Sequence, residues 1–147
     1  MALNIRKIGP EDREIFLEMS RDFYASGAVL HNVPEEYHIR AFEELMRSET
    51  YARGFILEYG GETAGYALLS LSYSREAGGI CLWIEELYLL PNFRGQGGGR
   101  EFFRWLEENI PAARYRLETE PENHKAKKLY RSLGYFPLDY EQFIKGN

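Results

Sequence analysis

The chain has 147 residues, of which 28% are charged and 44% are apolar or aromatic. This length fits one domain over residues 1–147, large enough to bury about two-thirds of its unfolded surface without a disulfide or structural metal. A single cysteine, Cys81, excludes a disulfide framework and a thiolate zinc site, and a net charge of −5 argues against a nucleic-acid partner. The apolar runs are too short for a membrane span and no signal peptide is evident, so we expect a cytoplasmic protein without a membrane partner.

The N-terminal part of the chain predicts one strand and two helices. Residues 5–8 alternate apolar and basic side chains, which is typical of a short strand. Apolar residues recur at helical spacing over 15–23, and a second helix is expected after Pro34. Glu35 and Glu36 begin that helix, and they either form a solvated face or lie near a site for a cation.

The rest of the chain mixes strands and helices. Glycines between the first two of these strands predict a hairpin, and Gly134 fits the left-handed position after a helix. The mixture predicts an α/β or α+β domain around one sheet. The expected elements are strands at 55–59, 64–73 and 80–90 with a hairpin turn at 60–63, a helix at 99–109, a strand at 115–118, a helix at 123–133 and an extended segment at 135–144.

A glycine-rich loop is the most informative stretch of the sequence. Residues 87–100 read LYLLPNFRGQGGGR, a strand and a proline turn followed by four glycines in five positions that lead into a helix. Each glycine in a helical turn costs about 1 kcal/mol relative to alanine, which is understandable where a ligand must approach the backbone. Unpaired amides at a helix N-terminus bind anions such as phosphate, and Arg94 and Arg100 add positive charge there.

Two common phosphate-binding loops are excluded by spacing. A Walker A loop needs Gly-Lys followed by Ser or Thr, and the chain has no such triplet. The dinucleotide fingerprint Gly-x-Gly-x-x-Gly fails in both frames, because frames that start at Gly95 and Gly97 end at Arg100 and Phe102. A flexible loop with solvated arginines is the alternative to an anion site of another kind.

The loop resembles the acyl-CoA loop of the GCN5-related N-acetyltransferase (GNAT) family. That family carries Arg/Gln-x-x-Gly-x-Gly/Ala, usually after Pro-x-aromatic. This chain has Pro-Asn-Phe at 91–93, followed by Arg94, Gly97 and Gly99 at the family's spacing.

A second motif of the same family follows the first. Its pattern is Asn-x-x-Ala-x-x-Leu-Tyr-x-x-x-Gly-aromatic, and residues 123–135 read NHKAKKLYRSLGY. Together the motifs cover residues 84–135, and the earlier elements fit the family's layout by pattern. One departure is Gly98, where the family usually has an aliphatic residue that packs the helix start on the sheet, so the rigidity of the loop is in question.

The resemblance implies the acyl-CoA N-acyltransferase (GNAT) fold, an α/β domain whose mixed, splayed central sheet is flanked by about four helices. It implies an enzyme that uses acetyl-CoA as cosubstrate and no metal. The ligand is expected in the gap between the strand that ends near Leu90 and the strand at 115–118. The residues implied to bind it are Leu87, Tyr88 and Leu89 by their backbone, the loop residues Arg94, Gly95, Gln96, Gly97, Gly98, Gly99 and Arg100, and Asn123, Ala126 and Tyr130.

Acetyl transfer to an amine needs a base and an acid. An amine with a pKa of about 10.4 is neutral in roughly one molecule in 2,500 at pH 7, and the leaving thiolate needs a proton. Tyr130 matches the family's acid, although a packed helix aromatic is the alternative. Glu85 and Glu86 are the base candidates, and adjacent strand residues are expected to face opposite sides. We favour Glu85, which lies nine residues before Arg94 as in polyamine-type relatives; a strand acid facing water is the alternative.

The acceptor and the assembly are left open by the sequence. Acids near the cleft favour a small cationic amine, such as a polyamine, a diamine or an aminoglycoside, and a Lys or N-terminal amine of a peptide is the other option. A non-catalytic acyl-CoA sensing module and a nucleotide-binding protein are the rival functions. The aromatic residues of 135–144 predict either a homodimer interface or additional core.

Overall fold

A computed structural model describes residues 2–146; residues 1 and 147 of the predicted domain lie outside the described residues. Helices and strands alternate in the mixed order that the sequence predicts, and most boundaries lie within one or two residues of the predicted ones. The elements are β1 (Leu3–Lys7), α1 (Arg13–Ala25), α2 (Glu35–Arg47), β2 (Ala52–Tyr59), β3 (Glu62–Ser74), β4 (Gly79–Leu89), α3 (Gly98–Asn109), β5 (Arg114–Leu117) and α4 (His124–Ser132), with short 3₁₀ turns at Pro10–Asp12 and Pro91–Phe93.

The five strands form one mixed sheet in the order β1-β2-β3-β4-β5. The first three neighbouring pairs are antiparallel, and β4 and β5 are parallel. The β2–β3 hairpin turns on Gly60 and Gly61 alone, both with positive φ (57° and 81°). The predicted turn at 60–63 is therefore too long, because these two glycines suffice to reverse the chain.

Helices cover both faces of the sheet and bury two apolar clusters. On one face Phe16 of α1 packs against Phe42 of α2 and Tyr66 of β3. On the other, α3 inserts Phe102 and Phe103, both fully buried. Because burying a phenylalanine stabilises a fold by about 1.5–3 kcal/mol, these two clusters hold the layers together.

The sheet splays beside β4. Pairing between β4 and β5 covers only Cys81–Ile84 against Arg114–Leu117, whereas β4 continues to Leu89. Among the residues that the structure describes, one edge of 85–89 therefore has no strand neighbour, which is the gap that the family resemblance predicts.

Residues 135–146, after α4, form no helix or strand. Phe136 and Phe143 are 82% and 89% exposed, so the prediction that the aromatic residues of this segment add to the core is wrong for these two. Tyr135 alone of the predicted aromatics packs against the α3 cluster. None of the helices within residues 2–146 is long and apolar enough to cross a membrane.

Candidate active site

A β-bulge places two glutamates on one face of β4. The register of β3 against β4 shifts so that Glu85 is skipped. Glu85 Oε2 accepts a hydrogen bond from Ser70 Oγ at 2.7 Å, and Glu86 Oε1 accepts one from the Tyr66 hydroxyl at 2.6 Å. Tyr66 and Ser70 lie four residues apart on β3 and therefore share a face. The prediction that the two acids point to opposite faces is wrong. The bulge adds one residue to β4, and this extra residue interrupts the regular alternation of side chains between the two faces.

Both carboxylate oxygens of Glu86 are hydrogen-bonded. The second accepts from the Tyr24 hydroxyl at 2.8 Å, so α1 and β3 each hold one oxygen. Burial raises the pKa of Glu86, and the neighbouring Glu85 adds to this, while the two tyrosine hydrogen bonds oppose it. By contrast, the Glu85 side chain is exposed to solvent.

A buried histidine and serine extend this polar cluster under α1 and α2. His38 is 4% exposed, and its Nδ1 lies 2.7 Å from Ser20 Oγ. Burial lowers the pKa of His38, so the neutral ring is favoured. Ser20 also lies near the hydroxyl of Tyr66, which donates to Glu86. Sequence reasoning missed both residues; the only available signal was that each falls on the inner side of an amphipathic helix.

Tyr130 lies on the opposite face of the sheet. Its ring packs against Phe103 and Tyr135, with centroids 5.8 and 6.2 Å apart. Burial raises the pKa of Tyr130, which keeps the phenol protonated at neutral pH. Within residues 2–146 its hydroxyl makes no hydrogen bond, and it lines a cavity of about 670 Å³ that neither Glu85 nor Glu86 reaches. Glu85 and Glu86 therefore lie on one face of the sheet and the Tyr130 phenol lies on the other.

Beside the gap, the backbone N–H and C=O groups of successive β4 residues point alternately toward β3 and away from it. Leu90 N donates to Ala64 O at 2.8 Å. Because paired and unpaired positions alternate along an antiparallel strand, the backbone groups of Leu87 and Leu89 point away from β3 and toward the gap. Those of Tyr88, predicted with them as a ligand contact, face β3 instead. The Leu89 carbonyl accepts a hydrogen bond from Arg94 Nε at 2.7 Å.

The glycine loop is open. Gly95 and Gly97 have φ values of 77° and 83°, a conformation that glycine adopts without strain, and Gly97 is the N-cap of α3. A Cβ atom at either position would meet no atom within 4 Å. Gly95, Gln96 and Gly97, which lead into α3, are exposed to solvent.

Gly98 is buried rather than loosely packed. A Cβ there would lie 3.0 Å from the Tyr59 hydroxyl and 3.2 Å from Leu89 Cδ1. The Tyr59 ring stacks on Phe93 with centroids 5.8 Å apart. Tyr59 thus fills the space below the helix start, and the loss of rigidity that the missing side chain predicts does not follow.

A basic pocket of about 250 Å³ adjoins the start of α3. Arg100, Lys125 and Lys128 line it, and Arg100 Nη2 donates to Ser132 Oγ at 3.0 Å. Three cations around one small cavity suit an anion. Sequence reasoning gave no role to the two lysines, although both belong to the second motif.

The remaining predicted contacts serve local structure. Asn123 caps α4 by accepting from Ala126 N at 3.2 Å, which leaves its own amide N–H groups free. Gln96 Nε2 donates to Asn92 O at 3.3 Å. Glu35 forms an exposed ion pair with Arg21, so it adds little free negative charge to a site. Within residues 2–146 no group of three metal-ligating side chains occurs.

The profile of the Acetyltransferase (GNAT) family matches residues 14–135, so the chain belongs to this family of N-acetyltransferases. Mouse (Mus musculus) thialysine N-epsilon-acetyltransferase is 33% identical over 78 residues, which are 51% of this chain and only 45% of that enzyme. An uncharacterized N-acetyltransferase from the pepI 3' region of Lactobacillus delbrueckii subsp. lactis is 26% identical over 99% of this chain and 91% of its own length. The structure of AAC(6')-Iy with the bisubstrate analogue CoA-S-monomethyl-acetylneamine is 19% identical and superposes with a TM-score of 0.80 over 100% of this chain and 99% of that one, which confirms the GNAT fold.

The buried carboxyl group predicts a pH-dependent variant. Because the folded state raises the pKa of Glu86, folding favours its protonated form, and this contribution to stability is lost as pH rises from the unfolded value through the raised one. Glu86→Gln cannot ionise, so its melting temperature should exceed that of the wild type at pH 8 and approach it at pH 4. Thermal unfolding across this pH range checks the expectation. Glu85→Gln controls for removing one negative charge, and an equal offset of Glu86→Gln at every pH would contradict it.

Proposed function

We propose that this GNAT enzyme transfers an acetyl group from acetyl-CoA to a primary amine. The acceptor class is a small cationic amine such as a polyamine, a diamine or an aminoglycoside, or a Lys or N-terminal amine of a peptide. The observation that carries the proposal is the splay of β4 from β5, where the backbone groups of Leu87 and the N–H of Leu89 adjoin the exposed glycine loop, while the Leu89 carbonyl accepts from Arg94.

The residues present suit the pantetheine arm and the phosphates of acetyl-CoA. Amides of the pantetheine arm suit the backbone groups of Leu87 and the N–H of Leu89, in the manner of an added strand. The diphosphate suits the amides of residues 95–99 at the positive end of α3. A further phosphate group suits the pocket of Arg100, Lys125 and Lys128. When bound, acetyl-CoA supplies an activated acetyl thioester.

Glu85 is the residue we assign as base. Deprotonating an amine of pKa about 10.4 at pH 7 costs about 4.6 kcal/mol, and a positioned carboxylate offsets part of that. The Glu85 carboxylate is exposed and contacts Ser70, so an amine or a bridging water can reach it. Glu86 has both oxygens engaged by tyrosines, and it contributes negative charge that attracts a cationic acceptor.

Tyr130 and Leu87 complete the chemistry that this chain can supply. The Tyr130 phenol is protonated and free of other hydrogen bonds within the described residues, so it is available to donate a proton to the departing sulfur. The Leu87 amide points toward the gap, where it can stabilise the negative charge that develops on a carbonyl oxygen. Tyr88 is the less suitable donor for that oxygen, because its amide faces β3.

Ligand binding is tested by calorimetry with coenzyme A. We expect binding to wild-type protein and a dissociation constant about tenfold higher, or about 1.4 kcal/mol, for Gly97→Ala. Gly78→Ala is the matched control, because Gly78 also has a positive φ (79°) and open surroundings but lies in the β3–β4 turn. Equal effects of both variants, or tighter binding of ATP than of coenzyme A, would refute the assigned loop.

Turnover is tested by thiol release from acetyl-CoA over a panel of amines. We expect release that depends on a cationic amine, and Tyr130→Phe should lower kcat by about 100-fold or more while the affinity for coenzyme A stays nearly constant. The phenylalanine keeps the ring packing on Phe103. If coenzyme A binds, no amine stimulates release and the variant changes nothing, the chain is instead an acyl-CoA sensing module.

The base assignment is tested by the pH dependence of Glu85→Gln. The variant should lose about 100-fold in kcat/KM at pH 7. This loss of kcat/KM should become smaller as the pH rises toward the amine's own pKa of about 10.4, because solvent then removes the proton. A defect of this shape in Glu86→Gln and not in Glu85→Gln would move the base to Glu86.

A further inference from the structure

Three consecutive residues at the end of α1 contact neighbouring side chains of β4. Asp22 Oδ2 accepts a hydrogen bond from the Tyr88 hydroxyl, and the Tyr24 hydroxyl donates to Glu86 Oε2 at 2.8 Å. Between these two, the Phe23 ring packs edge-on against the Tyr88 ring with centroids 6.4 Å apart. The two hydrogen bonds run in opposite directions, so the helix and the strand each supply one tyrosine and one acid.

Tyr88 also contacts the glycine loop. It is 5% exposed, and its ring stacks on that of Tyr66 with centroids 5.8 Å apart. The guanidinium of Arg94, the first residue of the loop motif, lies 5.4 Å from the centroid of the same ring. Burial raises the pKa of Tyr88 to about 12, and the hydrogen bond to Asp22 adds to this, so the hydroxyl stays protonated and donates at neutral pH. One buried side chain therefore connects the proposed cofactor loop with the end of α1.

The end of α1 lies beside the assigned base. Glu85 adjoins Glu86 on the same face of β4. Burial and Glu86 raise the pKa of Tyr24, and the charge of Glu85 adds to this, which indicates that Glu85 is close to this helix. α1 ends at Ala25, and residues 26–34 after it form no helix or strand. The last turn of α1 therefore borders the surface from which an amine would reach Glu85.

We propose that Tyr88 and Asp22 are positioning residues for the amine acceptor, because their hydrogen bond holds the last turn of α1 against β4 beside Glu85. This role rests on the proposed acetyl transfer, whereas the attachment of α1 does not. A hydroxyl that donates to a carboxylate makes a charge-assisted hydrogen bond, which is stronger than one between neutral groups. Asp22 acts through Tyr88, and neither side chain takes part in the chemistry.

Tyr88→Phe separates this hydrogen bond from the packing around it. The variant loses only the hydroxyl and keeps the ring that contacts Phe23, Tyr66 and Arg94. Asp22 is exposed, so its carboxylate is hydrated when the bond is lost. We therefore expect a folded protein in which the end of α1 is less firmly attached.

Amide hydrogen exchange tests the attachment without any substrate. The amides of residues 22–26 should exchange about tenfold faster in Tyr88→Phe than in the wild type, as the loss of one hydrogen bond to a charged group implies. The matched control is Tyr140→Phe, which removes another tyrosine hydroxyl that donates to a carboxylate, that of Glu76, at 3.0 Å. Unchanged exchange in Tyr88→Phe, or equal changes in both variants, would overturn the proposal.

Steady-state kinetics with the amine that stimulates thiol release test the role in the reaction. Tyr88→Phe should raise the KM for the amine about tenfold, with kcat and the dissociation constant of coenzyme A changed less than about twofold. Asp22→Leu should raise the same KM by a similar factor. Asp22→Asn should stay within about twofold of the wild type, because its amide oxygen still accepts from Tyr88. Combining Tyr88→Phe with Asp22→Leu should cause no further loss, because both changes remove the same bond.

Two kinetic results would overturn the positioning role. If Asp22→Asn is as defective as Asp22→Leu, Asp22 acts on the acceptor by its charge. If the KM for the amine is unchanged in Tyr88→Phe, the bond has no part in acceptor binding. A wild type that no amine stimulates would refute the proposed acetyl transfer and this role in it together, while hydrogen exchange still decides whether the bond holds α1.

Discussion

The divergence of β4 from β5 is the constraint on which the rest of this molecule depends. Their pairing stops at Ile84 and Leu117, and beyond it β4 keeps its extended shape because β3 holds its other edge as far as Leu89. Free N–H and C=O groups at a strand edge cost free energy when they are buried away from water without a partner. Such an edge is therefore either hydrated or paired with a ligand. In this protein the open edge leads along the chain to the glycine loop, and Arg100 at the start of α3 lines the basic pocket.

The bulge at Glu85 adds a second consequence to the same strand. Without it, one of the two glutamates would point toward Leu82 and Phe102 in an apolar cluster, where a carboxylate has no partner. With it, both acids lie on the α1–α2 face, one exposed and one held by Tyr24 and Tyr66. The extra residue therefore separates two roles for neighbouring carboxylates, since solvent reaches the first and burial perturbs the pKa of the second.

The local pattern of apolar residues predicted the helices and strands, and the two motifs predicted the gap and the glycine loop. These predictions succeeded because they depend only on the spacing of residues along the chain. The direction of the glutamates was mispredicted, since a bulge depends on pairing with a distant strand rather than on local alternation. The contact of Ser20 with His38 was missed for the same reason: it joins two helices whose packing the sequence does not specify. Gly98 is the clearest case, because its space is filled by Tyr59, which lies far away in the chain.

β5 is the least supported strand of the sheet. It has four residues and pairs on one side only within the described chain. Its other contacts include the Tyr115 hydroxyl donating to Ile110 O at 2.7 Å, Arg116 over the Trp83 ring at 4.3 Å and an ion pair of Arg114 with Glu76 at 3.4 Å. A ligand in the gap beyond Leu117 would therefore steady this short strand at the point where the sheet opens.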